Sequence, residues 1–86
     1  MDIVIGDLLT LEDGKYITLE KLTHENDEYI FVNKVIDEEN VSDEFYIFKI
    51  TGDNVIIVIE DNLKNILIPK FENLLKKDID KLLQEK

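Results

Sequence analysis

Polar and apolar positions along the chain change their period once, near residue 61. Upstream, short β-branched and aromatic runs are separated by clusters of Gly, Asp, Asn and Glu, the pattern of strands joined by tight turns. The strongest instance lies at 44–60. Phe45–Ile50 and Val55–Ile59 flank Thr51-Gly52-Asp53-Asn54, whose residues tolerate positive φ, so a β-hairpin is predicted. Tyr46, Phe48 and Ile50 alternate with Phe45 and Ile47, and 55–59 has no polar interruption. A strand with one buried face alternates apolar and polar, so this hairpin is expected in mid-sheet with both faces at least partly covered.

Three further strands are predicted before it. Ile3–Leu11 reads as the first, interrupted by Gly6 and Asp7, and Glu12-Asp13-Gly14-Lys15 supplies a turn. Tyr16–Leu22 sets Ile17 and Leu19 on one face and Thr18 and Glu20 on the other. After a polar loop at 23–27, Glu28–Ile36 carries Tyr29, Ile30, Phe31 and Val32, and 37–43 forms an acidic break. Short successive connections favour neighbouring antiparallel strands, which makes a five-stranded meander the simplest topology.

From residue 61 the period becomes helical. Leu63, Leu67, Phe71, Leu74, Leu75, Ile79, Leu82 and Leu83 recur at three- and four-residue spacing. Asp61 or Asn62 is placed to cap the start, and lysines crowd the end, where they complement the helix dipole. Pro69 removes one helical donor and pushes Ile68 from helical angles, so a short turn, a kink and a main helix from Pro69 are expected. The chain therefore reads as one α+β domain, 1–86. An antiparallel β-meander (1–60) carries a C-terminal amphipathic helical segment (61–86), kinked near Pro69, on one face. The opposite face is left with aromatics and no second helix.

Charge narrows the functional classes. Residues 1–61 hold four lysines against sixteen acids, net −12, and residues 62–86 hold six lysines against four acids, net +2. All ten basic residues are lysine, so bidentate guanidinium recognition of phosphate or guanine is unavailable, and the net charge of −10 repels polyanions. Direct nucleic-acid binding is not expected. The absence of cysteine removes disulfides, thiolate metal sites and cysteine nucleophiles. No basic leader and no long apolar run is seen, so neither a signal peptide nor membrane attachment is expected and the cytoplasm is the expected compartment.

Candidate chemistry is sparse. His24 is the single histidine, set among acids without Ser, Cys or His partners, and is expected to be solvated and incidental. Neither acidic cluster, Glu25/Asp27/Glu28 nor Asp37/Glu38/Glu39/Asp43/Glu44, has the ligand spacing of a calcium loop. Gly6, Gly14 and Gly52 stand apart and cradle no phosphate. No catalytic, cofactor or metal site is therefore expected. The aromatics at 29, 31, 45, 46 and 48 read first as cross-strand pairs filling a core. Any left uncovered would form an interaction surface, with Tyr29, Phe31, Tyr46 and Phe48 as its candidates.

The order of motifs resembles a known group. Leu-Thr-Leu-Glu-Asp-Gly (9–14), Glu-Tyr-Ile-Phe-Val (28–32), Glu-Phe-Tyr-Ile-Phe-Lys-Ile (44–50), Ile-Glu-Asp (59–61) and Phe-Glu-Asn-Leu-Leu (71–75) make the chain similar, over about residues 8–80, to the YrzB-like family of small acidic bacterial and phage proteins, a domain of unknown function. Pro69 and the lysine-rich tail depart from the more acidic helix of that family. The resemblance implies a bacterial or phage cytoplasmic origin and brings no catalytic residues. Two functions stay open. One is a non-enzymatic module that binds itself or another protein through the helix-free sheet face or an edge strand. The other is a polyanion mimic, such as a phage-encoded inhibitor, in which Asp37, Glu38, Glu39, Asp43 and Glu44 imitate a phosphate track on a host nucleic-acid-binding protein.

Overall fold

The computed structural model describes residues 2–84, with side chains through Lys81. Five antiparallel strands, β1 (Leu8–Leu11), β2 (Gly14–His24), β3 (Asp27–Val35), β4 (Val41–Thr51) and β5 (Asn54–Ile57), lie side by side in chain order as a sheet curled into a half-barrel. Helix α1 (Asp61–Gln84) packs on one face. The tight turns follow local chemistry. Glu25 and Asn26, between β2 and β3, both have positive φ, as a type I′ turn requires, and Gly52 supplies it at the first central position between β4 and β5.

Each face of the sheet has its own core. Tyr29, Ile47, Val58, Leu67 and Phe71 are buried between sheet and helix, with Leu22, Phe31, Leu63 and Leu74 packed around them. On the other face Ile3, Tyr16, Ile30, Val32 and Phe48 form a second cluster. That face is therefore not bare. Gly6 and Asp7 break the expected first strand, Asp7 accepts a hydrogen bond from the Val4 amide, and Ile3 is laid over the aromatic cluster. The hairpin is also not central. β5 is the edge of the sheet, and Ile56, Ile57 and Ile59 are exposed.

Two irregularities set which side chain faces which core. Thr18 pairs with Val32 and Glu20 with Phe31, so Leu19 is an extra residue that bulges from β2. Residues directly opposite share a face, so Thr18 lies on the Ile3 side and Glu20 on the helix side. The expected alternation of both on one face is corrected. The second irregularity interrupts the β3–β4 ladder between Asn33 and Val35. The buried Asn33 side chain satisfies it by donating to the carbonyls of Ser42 and Glu44, while the Ser42 hydroxyl donates to the carbonyl of Lys34.

The helix runs unbroken through Pro69 rather than dividing there. The carbonyl of Glu60 accepts the first helical bond, from the Lys64 amide, so Glu60 takes the cap position instead of Asp61 or Asn62. Leu67 and Phe71, both buried, hold the chain on either side of the proline, and this packing overrides its local preference. Leu82 and Leu83 of the predicted stripe lie outside the described side chains. Pro69 is exposed and still denies the Asn65 carbonyl its donor. Pro69→Ala is expected to raise stability by about 1–3 kcal/mol, read as the shift in a urea midpoint. An unchanged midpoint would mean that the helix has already relaxed around the ring.

Candidate interaction surface

The sheet edge beside β5 has a step in it. β4 has eleven residues, but its register with β5 covers only Phe48–Thr51, extended by the Val58 amide donating to the Ile47 carbonyl. Past that point the chain leaves the edge and enters α1. Among the described residues no strand neighbours the outer side of β4 from Val41 to Tyr46. Main-chain direction alternates along a strand. Ile47 points its carbonyl toward β5 and Glu44 points its own toward the Asn33 side chain on β3, so the amide and carbonyl of Phe45, and those of Asp43, point outward from the sheet.

Apolar side chains converge on this step. Phe31, Phe45, Ile47, Ile57, Val58 and Ile68, with Tyr46 and Lys64, line a groove of about 320 Å³ between the end of β5 and the first half of α1. Phe45 lies parallel to Phe31 in an offset stack with ring centroids 5.5 Å apart, and Phe31 stacks in turn on the buried Phe71, centroids again 5.5 Å apart. Phe45 is 50 % exposed at the open end of this stack, and Ile57 and Ile68 are 45 % and 40 % exposed beside it. The fixed ring stack holds the exposed ring in place, so the groove has a preformed wall.

The four aromatics expected to form one surface are divided by the sheet. Tyr29 and Phe48 are buried in opposite cores, whereas Phe31 and Tyr46 reach the groove from opposite faces of the edge. Phe45, Ile57 and Ile68 complete it. No periodicity singles these three out, because the groove exists only where β4 outruns β5. The strand reaches that far because Val41–Asp43, read as the end of an acidic break, is extended and joined to β3 through Asn33.

The acidic residues lie close by. Asp37, Glu38, Glu39, Asp43 and Glu44 are all exposed around the β3–β4 connection and the start of β4. Asp37 has a structural role: it accepts from the amides of Glu39 and Asn40 and from the Asn40 side chain, and those bonds hold its carboxyl below the usual range. Glu44 accepts from the Tyr46 hydroxyl, which raises the phenol. A second, larger hollow of about 650 Å³ lies between the same connection and Leu8, Ile17 and Val35. His24 is only partly solvated. Its side chain is half-buried against Tyr29, and the Lys70 ammonium donates to Nδ1 at 3.0 Å, pinning the helix to the end of β2.

Glu20 is the most unusual ionisable group in the fold. It is 3 % exposed on the helix side of β2. Burial, followed by the hydrogen bond and negative charge of Asp78 on α1, pushes its carboxyl up to about 7. In the protonated form its hydroxyl donates to the Asp78 carboxylate. Among the described residues no group of three or more His, Cys, Asp or Glu side chains is arranged to hold a metal ion, and no helix is long and apolar enough to cross a membrane.

Fold and groove together define a small acidic α+β protein with a stepped, apolar sheet edge. No family model, curated protein or solved structure matches the chain.

Proposed function

We propose that this protein is a non-enzymatic interaction module that binds another protein through the groove at the β4–β5 step. The observation that carries the reading is the half-exposed apolar set Phe45, Ile57 and Ile68 beside unpaired main chain of β4. Apolar surface of this kind, concentrated at one place and rimmed by charge, is typical of contact sites. Apart from Lys64 and the Tyr46 hydroxyl the lining is apolar, which suits contact better than proton transfer between paired groups.

A second reading is supported by the five exposed acids at 37–44, which would serve a mimic of nucleic acid, including one encoded by a phage. One experiment separates the two. The tagged protein and its Ile68→Lys variant are used to capture partners from a lysate of the source organism, with washes at low and high salt. The module reading expects a partner that survives high salt and is lost with Ile68→Lys. A partner released by salt and indifferent to the variant would instead support the mimic, because charge contacts between exposed groups are screened.

A further inference from the structure

Resting on the reading of the groove as a protein-binding site, we infer that its occupant is an extended segment of a partner protein. This segment adds as a strand to the open edge of β4, with basic residues where it passes Asp43 and Glu44. Three features of the step argue for a strand. The outward amide and carbonyl of Phe45, and those of Asp43, offer the two-residue repeat of donors and acceptors that an added strand pairs with. The ladder position is already defined, because the added strand continues the row that β5 occupies against Phe48–Thr51. An inserted side chain has a place to go, since the groove opens directly beside that row, between Phe45 and Ile68.

Charge decides the chemistry of the occupant. Natural proteins commonly guard open edges with lysine, proline or a covering segment. Along the open part of β4 the charged residues are Asp43 and Glu44, both acidic and exposed, with Glu38 and Glu39 beyond them. A segment bearing lysine or arginine at that end gains favourable pairing. A second copy of this chain would instead bring a protein of net charge −10 against the same acids. The apolar part of the segment belongs at the Phe45–Ile68 end and the basic part at the Asp43–Glu44 end.

The test uses the full chain, isotopically labelled, and short peptides with alternating Thr and Val in the centre and three lysines at one end. Versions with the lysines at either terminus cover both strand directions. Matched peptides carry glutamates in place of the lysines. One lysine version is expected to slow hydrogen exchange at the Phe45 and Asp43 amides at least about tenfold, and the glutamate versions to bind at least about tenfold more weakly. Shifts at Ile68 and Phe45 side chains without amide protection would overturn strand addition while leaving the groove a binding site. Equal binding of lysine and glutamate peptides would overturn the charge assignment. Protection of the same amides without peptide, together with a dimer in sedimentation, would overturn the inference in favour of self-pairing. No response at any of these signals would also overturn it, and the Ile68→Lys capture experiment then judges the module reading separately.

Discussion

Replacing Phe71 by alanine is expected to lower the stability of the fold by about 4 kcal/mol. The side chain is 1 % exposed and lies where the helix meets the sheet, packed with Tyr29, Ile47, Val58 and Leu67. It also closes the stack that runs through Phe31 to Phe45. Truncation removes the transfer free energy of the ring and leaves a cavity that a sheet and a long helix cannot easily collapse to fill. A domain this small has a total stability on the order of 5–10 kcal/mol, so the loss is a large share of it. Urea unfolding followed by circular dichroism reads the change directly. Ile79→Ala, at an exposed position of the same helix, is the matched control and should shift stability by no more than about 0.5 kcal/mol. A Phe71→Ala variant within about 1 kcal/mol of the parent would show that the helix is not held as described. The same variant frees one side of Phe31, so it should also loosen Phe45 and weaken any ligand of the groove.

Glu20 gives the second large effect, and its sign is unusual for a carboxylate. The folded-state value is raised to about 7, first by burial and then by Asp78, whereas the unfolded chain keeps an ordinary glutamate value near ~4.3. The folded state therefore holds the proton more tightly than the unfolded state. The stability linked to this proton is fully present below the unfolded value and is lost progressively as pH rises through about 7. Between pH 5 and pH 8 the loss is on the order of 2–3 kcal/mol. Glu20→Gln keeps the shape, removes the proton equilibrium and retains a donor toward Asp78. Its stability is expected to stay within about 1 kcal/mol of the parent at pH 5 and to exceed it by about 1–3 kcal/mol at pH 8, from urea midpoints at the two pH values. A parent protein whose stability is flat between pH 5 and pH 8 would overturn the assignment. Because Asp78 sits on the second half of α1, the strain above neutrality falls on the contact between helix and β2, and amide exchange in that half should quicken first.

Much of this architecture is written in the local pattern of the chain. The switch from short extended runs to a three- and four-residue repeat near residue 61 determines one sheet followed by one helix. Turn residues at 12–15 and 51–54 mark two pairs of neighbouring strands, since a tight turn leaves no alternative to antiparallel pairing. The loop read at 23–27 shows its tight turn, Glu25-Asn26, only in the structure. The even-handed hydrophobicity of Phe45–Ile50 correctly signals that β4 is covered on both faces, with Ile47 facing the helix and Phe48 the second core. The same argument fails for Val55–Ile59. An apolar run reports only that burial is possible, and β5 ends as an exposed edge.

Tertiary structure decided the rest, and each time the cause is a contact between distant residues. The bulge at Leu19 sends Glu20 to the helix side, where its raised affinity for a proton arises; nothing local distinguishes that bulge from simple alternation. Ile3 leaves the predicted first strand because the aromatic cluster of Tyr16 and Phe48 offers it more burial than a sheet edge would. Pro69 stays helical because Leu67 and Phe71 are anchored on either side of it. The stepped edge exists because Asn33 holds the start of β4 in extended form while β5 turns away to begin the helix. Local composition determines which elements form, since backbone propensity and turn chemistry act over a few residues. Long-range packing determines where those elements end, and the groove at Phe45 and Ile68 is made from two such endings.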